Sequence, residues 1–166
     1  LDGLSKVCVE RGWPAISIGI GINTGDMSVG DMGSKLRKAY TVMGDAVNLG
    51  ARLEGLTRQY GVWTIVSEFT VAECPRVRFR ELDKVLVKGK EQPVIIYEPV
   101  ALESDLDDDA KRELERWDRL LEGYRGQKFE QVKDSLDGMA VDFGNRPLYD
   151  WLRGACDEYS ANPPPK

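Results

Sequence analysis

Alternating and helical patterns of apolar residues predict the first elements of the chain. Leu4, Val7 and Cys8 recur at helical spacing, which predicts a helix that stops near Gly12. Alternation of isoleucine with serine and glycine then predicts a strand with one packed face and one face of small residues. The isoleucines are Ile16, Ile18, Ile20 and Ile22. Because glycine leaves space, we expect another element to approach the second face closely.

A hairpin and one well-defined helix follow. Turn residues separate two short predicted strands at 27–32 and 38–42. Beyond them, apolar residues at steps of four, three and four predict an amphipathic helix over 45–60. Asp45 is the predicted N-cap of this helix, and Gly61 is its predicted stop.

Three more strands and a short helix complete the first hundred residues. The strands are predicted at 62–66, 77–87 and 94–100. Ser67 is the predicted cap of the short helix, which ends near residue 73. Strands and helices are therefore mixed, and the sequence predicts an α+β fold.

An acidic run separates this region from a helical tail. We predict an α+β domain at 1–100, an acidic linker at 101–108, a helical tail at 109–160 and a disordered end at 161–166. Apolar periodicity predicts helices near 109–124, 128–143 and 147–160. Their arrangement resembles a helical-repeat hairpin more than a catalytic unit.

Charge and composition exclude several kinds of function. The net charge is −5, so no overall positive field attracts a nucleic-acid backbone. The chain has no His, which removes the usual general base and the commonest zinc ligand. Any catalysis must therefore use electrostatics, carboxylates or metal ions.

The expected location is the cytoplasm. No run of residues approaches the roughly 18 apolar residues of a membrane span. The cysteines Cys8, Cys74 and Cys156 are odd in number and far apart, which favours a reducing compartment over a disulfide framework. Because the chain begins at Leu1 without a signal pattern, we expect it to come from a longer parent protein.

The glycine-rich stretch at 19–33 does not fit a dinucleotide or phosphate loop. Gly19 and Gly21 have no third glycine in register, and no Gly-Lys-Ser or Gly-Lys-Thr follows. The strand-then-helix context of such loops is also missing. Turns between strands explain these glycines better.

Asn48 and Arg52 are four residues apart in the predicted helix, so their side chains are neighbours on one face. That face is rotated about a quarter turn from the apolar stripe. An amide and a guanidinium so placed suit a ribose oxygen and a phosphate oxygen. The same spacing also fits a solvated amide beside a surface arginine, and spacing does not decide between them.

Four segments occur in an order and spacing typical of one enzyme family. They are Gly-Ile-Gly-Ile-Asn-Thr-Gly at 19–25, Gly30-x-x-Gly33, the segment from Tyr40 to Glu54, and Val87-Lys88-Gly89-Lys90. On these motifs the first hundred residues resemble the C-terminal part of a class III adenylate or guanylate cyclase catalytic domain, of the bacterial adenylate cyclase type. The resemblance implies a ferredoxin-like α+β fold before the helical tail.

The resemblance implies roles for three donors. Asn48 matches the residue that orients the ribose, and Arg52 matches the residue that stabilises charge on the α-phosphate. Lys88 matches the lysine that holds the terminal phosphates. By itself, a Lys-Gly-Lys turn between strands is more typical of an ordinary soluble hairpin.

Thr41 matches the family's base-selecting position. A hydroxyl can accept a hydrogen bond from the adenine amino group, although it discriminates only modestly between bases. An ordinary β-branched strand residue is the alternative interpretation. Asp45 is interpreted as a helix cap and not as a metal ligand.

The resemblance also implies parts that lie outside this sequence. The family's two metal-binding aspartates and its adenine-reading lysine precede the matched region. Mg²⁺ or Mn²⁺ is therefore expected on ligands outside this chain, and the chain alone is expected to be inactive. Since family sites form between two catalytic domains, the expected partners are ATP and a second cyclase domain, with a homodimer expected.

The predicted function is one part of an adenylate cyclase that converts ATP to cyclic AMP and pyrophosphate in signal transduction. One alternative is a guanylate cyclase. A second is a non-catalytic regulatory or dimerisation module of cyclase fold. The tail resembles the segment after the cyclase domain in some bacterial cyclases with an extracytoplasmic sensor, which suggests a membrane-anchored parent.

Overall fold

The computed structural model describes residues 2–14, 17–34, 37–87 and 92–162. The helices are α1 (Asp2–Glu10), α2 (Asp45–Tyr60), α3 (Glu68–Glu73), α4 (Asp108–Arg125), α5 (Phe129–Phe143) and α6 (Pro147–Ala161). The strands are β1 (Ile20–Ile22), β2 (Ser28–Ser34), β3 (Arg37–Met43), β4 (Thr64–Ser67), β5 (Val77–Val85) and β6 (Val94–Leu102). Of the predicted disordered end, residues 163–166 lie outside the described residues.

The strands form a mixed sheet and a separate ribbon. The order in the sheet is β1-β4-β6-β5. Strand β1 runs parallel to β4, while β4 and β5 both run antiparallel to β6. In the part of the chain that the structure describes, β2 and β3 pair only with each other, in an antiparallel ribbon that places Thr41 opposite Gly30. The mixed strands and helices confirm the predicted α+β class.

Helix α2 covers the glycine face of β1. A Cβ on Gly21 would lie 2.1 Å from the Gly50 carbonyl oxygen, so the helix backbone can come this close only to glycine. The predicted close approach to this face is confirmed. The predicted packing of the isoleucine face is wrong for Ile18, Ile20 and Ile22, which stay 45%, 46% and 42% exposed, while Ile16 lies outside the described residues. Helix α2 packs on the glycine face of the strand, because glycine has no side chain to keep the helix backbone away. The isoleucine face on the other side remains exposed.

Helix α2 ends where the sequence predicts but is capped differently. Gly61 takes the left-handed conformation with φ 66°, and its N–H donates to the Thr57 carbonyl oxygen. The N-cap is Gly44 and not Asp45, because the cap needs a non-helical backbone, which Gly44 adopts with φ 156°. Asp45 lies inside the first turn, where a carboxylate interacts favourably with the helix dipole.

The predicted acidic linker at 101–108 is an ordered connection. Strand β6 continues to Leu102, and a 3₁₀ helix spans Glu103–Asp105. Asp107 then accepts a hydrogen bond from the Ala110 N–H at 2.7 Å, which caps α4. The last acidic residues of this segment, Asp107 and Asp108, therefore begin α4.

Helices α4, α5 and α6 share one hydrophobic core with the sheet and α2. Helix α4 lies against β5, and α6 lies against α2. The largest buried side chains of the tail, Trp117 and Tyr149, are stacked with their ring centroids 5.9 Å apart. The division into a partial catalytic domain and a tail stays a prediction, but the two parts are packed as one body.

A buried charge cluster fixes the tail on the sheet. Arg80 of β5 is 1% exposed and lies 2.6 Å from Glu98 and 2.9 Å from Glu113 of α4. Glu113 also pairs with Arg146 at 3.0 Å and accepts a hydrogen bond from the Tyr149 hydroxyl. The cluster therefore joins β5, β6, α4 and α6.

None of the helices within the described ranges combines the length and the apolar character that crossing a bilayer requires. Their buried residues form stripes, which is typical of helices that pack on one side. The membrane-anchored parent stays a prediction.

Candidate functional site

Helix α2 carries the two residues that the sequence singles out for chemistry. Its buried stripe comprises Leu49, Leu53, Thr57 and Tyr60. Asn48 and Arg52 each precede a buried leucine by one position, so the structure brings them together on the adjoining side of the helix. The stripe packs against β1 and β4, which gives both side chains a rigid support.

Arg52 is half-buried, and its Nη1 atom is inaccessible to solvent. Among the described residues this nitrogen has no hydrogen-bond partner. A buried donor without an acceptor raises the free energy of the protein, and more so for a charged group. An anionic ligand oxygen would satisfy this donor and form a charge-assisted hydrogen bond.

Asn48 lies one turn before Arg52, and its side chain is exposed. Its backbone N–H donates to the Gly44 carbonyl oxygen at 3.1 Å, which places Asn48 in the first hydrogen-bonded turn of α2. The side-chain amide offers both a donor and an acceptor to a ligand. A hydroxyl of a bound sugar is one group that could use both.

Thr41 lies on the ribbon, two residues before the end of β3. It is exposed, and its cross-strand partner is Gly30, which has no side chain to cover it. The Thr41 hydroxyl is therefore accessible for hydrogen bonding. The chain passes from β3 through Gly44 directly into α2, so the ribbon is adjacent to the Asn48 end of the helix.

Lys88, the predicted ligand of the terminal phosphates, lies outside the described residues. Strand β5 ends at Val85, and Val87 is buried in the core. The phosphate-binding role of Lys88 stays a prediction.

A polar junction at the end of β1 was missed by the sequence analysis. Asn23 donates from Nδ2 to the Ala46 carbonyl oxygen in α2 at 2.9 Å, and Ser67 donates to Asn23 Oδ1 at 2.6 Å. The hydroxyls of Thr24 and Thr70 lie 3.1 Å apart beside them. The sequence did contain a signal, since two polar residues follow the apolar strand directly, but their distant partners depend on the fold.

The sequence matches one family of enzymes. The sequence profile described as the adenylate and guanylate cyclase catalytic domain matches residues 2–98, more than half of the chain. The chain belongs to this family. The resemblance predicted from the motifs is therefore confirmed.

Two relatives are adenylate cyclases. The adenylate cyclase of Anabaena cylindrica is 46% identical over 101 residues, which cover 58% of this chain and 20% of that protein. Adenylate cyclase 1 of Rhizobium meliloti is 41% identical over 103 residues, which cover 61% of this chain and 16% of that protein. The chain thus spans only a small part of these relatives.

Two solved cyclase structures share the fold. The adenylyl cyclase CyaB of P. aeruginosa matches with a TM-score of 0.55 and 31% identity, covering 64% of this chain and 54% of that chain. The guanylyl cyclase Cya2 matches with a TM-score of 0.53 and 30% identity, covering 64% of this chain and 53% of that chain. The chain therefore corresponds to about half of each solved structure.

Proposed function

We propose that this chain is the part of an adenylate cyclase that contributes Asn48 and Arg52 to an active site shared by two catalytic domains. The observation that carries the proposal is the buried Nη1 of Arg52, which lacks a protein partner among the described residues. An α-phosphate oxygen of ATP is anionic and matches this donor. Asn48, one turn away on the same side of α2, is the residue proposed to orient the ribose.

In the proposed reaction, the ribose 3′-oxygen of ATP attacks the α-phosphorus. The new bond closes cyclic AMP, the bond to the β-phosphate oxygen breaks, and pyrophosphate leaves. The 3′-hydroxyl proton passes to a base outside this chain or to solvent. Arg52 stabilises the charge that develops on the α-phosphate, and Asn48 holds the ribose in line for attack.

Mg²⁺ or Mn²⁺ is proposed to bind ligands outside this chain. Within the described ranges, no three Asp, Glu or Cys side chains cluster closely enough to hold a metal ion. The roles proposed above for Asn48 and Arg52 describe how these two side chains act on ATP, and they involve no metal ion.

A second catalytic domain is the proposed macromolecular partner. Among the described residues, the ribbon of β2 and β3 has no third strand, and isolated two-stranded ribbons are only marginally stable in water. Its exposed apolar residues are Val29, Tyr40, Val42 and Met43. A partner domain that covers this ribbon would also lie next to Asn48, and a homodimer is the simplest arrangement.

GTP is the alternative substrate, because the chain also matches the structure of a guanylyl cyclase. Both curated relatives described above are adenylate cyclases, which favours ATP. The presence of both Asn48 and the buried donor of Arg52 argues against a non-catalytic module of cyclase fold.

A pairing experiment tests the proposal. This chain is mixed with a cyclase domain that keeps its metal aspartates but lacks its own Asn and Arg, and cyclic AMP is measured with ATP and Mg²⁺ or Mn²⁺. We expect each protein alone to be inactive and the mixture to be active. The matched control is the Arg52→Ala chain, whose mixture should lose activity.

Two results would contradict the proposal. An inactive mixture in which both proteins are folded and associated would favour the regulatory module. Activity of this chain by itself would show that it contains a complete site. Parallel assays with GTP decide between the two nucleotides.

A further inference from the structure

Asn23 links the end of β1 to the first turn of α2, and we infer that it is a positioning residue for Asn48 and Arg52. The inference rests on the proposed function, because it concerns how that site is held. The Nδ2 atom of Asn23 donates to the Ala46 carbonyl oxygen at 2.9 Å. Ala46 precedes Asn48 by two residues, so the bond holds the same helical turn.

The N-cap residue of α2 does not anchor the first turn through a side chain. Its N-cap is Gly44, which has no side chain and makes no side-chain capping bond. The element before it is β3, which belongs to the two-stranded ribbon and not to the sheet. The hydrogen bond from Asn23 therefore ties this end of the helix directly to the sheet.

The Asn23 amide is itself held in one orientation. Ser67, which is fully buried at the end of β4, donates its hydroxyl to Asn23 Oδ1 at 2.6 Å. Because Oδ1 accepts from Ser67, Nδ2 points toward α2 and Ala46. The result is a relay of two hydrogen bonds from β4 through Asn23 to the helix.

Close packing on both sides of Asn23 keeps the donor at hydrogen-bonding distance. A Cβ on Gly21 would lie 2.1 Å from the Gly50 carbonyl oxygen, and one on Gly25 would lie 2.9 Å from the Ala46 Cβ. The loop and the helix thus pack as one unit even without the amide. Loss of the amide donor should therefore change the direction of the first turn of α2 more than it changes the packing of the loop against the helix.

The test uses Asn23→Asp in the active enzyme that contains this chain. Aspartate keeps the size of the side chain and an acceptor for Ser67, but it replaces the donor to Ala46 with an oxygen that repels the carbonyl. We expect kcat to fall by about 10- to 100-fold, as for other small displacements of catalytic groups. The KM for ATP should change by less than about threefold, because the positioned groups act mainly in the transition state.

Thr24→Val is the matched control. It removes one hydrogen bond from the same junction, between Thr24 and Thr70, without touching α2. We expect it to lower the thermal midpoint about as much as Asn23→Asp while leaving kcat within about twofold of the wild type. A purely structural role for Asn23 would make the two variants alike in kcat.

A double variant separates positioning from general stability. If Asn23 acts through Asn48, Asn23→Asp should lower kcat by a smaller factor in the Asn48→Ala background than in the wild type. If the kcat losses of Asn23→Asp and Asn48→Ala simply multiply in the double variant, the inference is overturned. Equal kcat losses in Asn23→Asp and Thr24→Val would also overturn it. Failure of the proposed function gives a different result: no cyclase activity in the wild-type enzyme, or a normal kcat in Asn48→Ala, which would overturn both.

Discussion

The ring of Tyr60, at the C-terminal end of α2, lies against the ring of Trp151 in α6, with centroids 4.3 Å apart. The Tyr60 hydroxyl donates to Asp83 Oδ2 at 2.9 Å. Burial, together with the neighbouring Asp83 carboxylate, raises the pKa of Tyr60, so its hydroxyl stays protonated as a donor. The tail therefore holds the far end of the helix that carries Asn48 and Arg52.

Tyr60→Ala should lower the free energy of unfolding by about 3–5 kcal/mol, because it removes a fully buried aromatic ring. Tyr60→Phe keeps the ring beside Trp151 and removes only the bond to Asp83, so it should cost about 1 kcal/mol. Urea unfolding of the two variants measures both values. Equal losses would mean that the hydroxyl, and not ring packing, dominates this contact.

Arg52→Ala and Asn48→Ala should each lower kcat by about 10²–10³ in the active enzyme, by analogy with removing one preorganised donor. ATP binding should weaken much less, because both groups act where charge and geometry develop. Steady-state kinetics with ATP provides the measurement. Arg58→Ala, an exposed arginine on the same helix, is the control and should keep normal turnover. Near-normal turnover in either site variant would refute its assigned role.

Thr41→Ala should change the ratio of ATP to GTP use more than it changes total activity. Specificity is a difference between two transition-state affinities, and one hydroxyl hydrogen bond alters that ratio by about tenfold or less. Thr41→Ser retains the hydroxyl and should retain the preference. Competition assays with both nucleotides test this, and an unchanged ratio in Thr41→Ala would leave Thr41 as an ordinary strand residue.

Glu113→Ala should destabilise the protein by about 3–5 kcal/mol, because it leaves the buried Arg80 without one of its two carboxylates. Glu115→Ala, on the same helix, removes only an exposed pair with Arg119 and should cost under about 0.5 kcal/mol. Chemical unfolding of both variants provides the comparison. Similar small losses would show that the cluster does not hold the tail on the sheet.

Stability should fall at alkaline pH partly through Cys156. Burial raises the pKa of its thiol from 9.0 to about 11, so the unfolded chain loses this proton first as the pH rises. The stabilisation is complete below about pH 9 and is lost as the pH rises toward about 11. Unfolding at pH about 8 and about 10.5 under reducing conditions should show a shallower decline for Cys156→Ala than for the wild type. Parallel declines would contradict this contribution.

Local patterns in the sequence determined much of the architecture. The apolar periodicity predicted α2 and its end at Gly61, and the four-residue spacing placed Asn48 and Arg52 on one side of it. Ser67 was predicted to cap α3, and its hydroxyl accepts from the Thr70 N–H. Such features depend on residues only a few positions apart, so a short segment contains the information for them.

The tertiary structure alone decided which surfaces meet. The alternating pattern predicted a packed isoleucine face. In the structure α2 packs on the glycine face instead, because only there can two backbones approach closely. Asn23 and Ala46 are 23 residues apart, and Arg80 and Glu113 are 33 residues apart. Whether such groups meet, and whether Arg52 keeps a buried donor without a partner, depends on how separate elements pack. Local periodicity and capping patterns do not specify that packing. It forms only when distant segments come together, against the entropic cost of closing the chain between them.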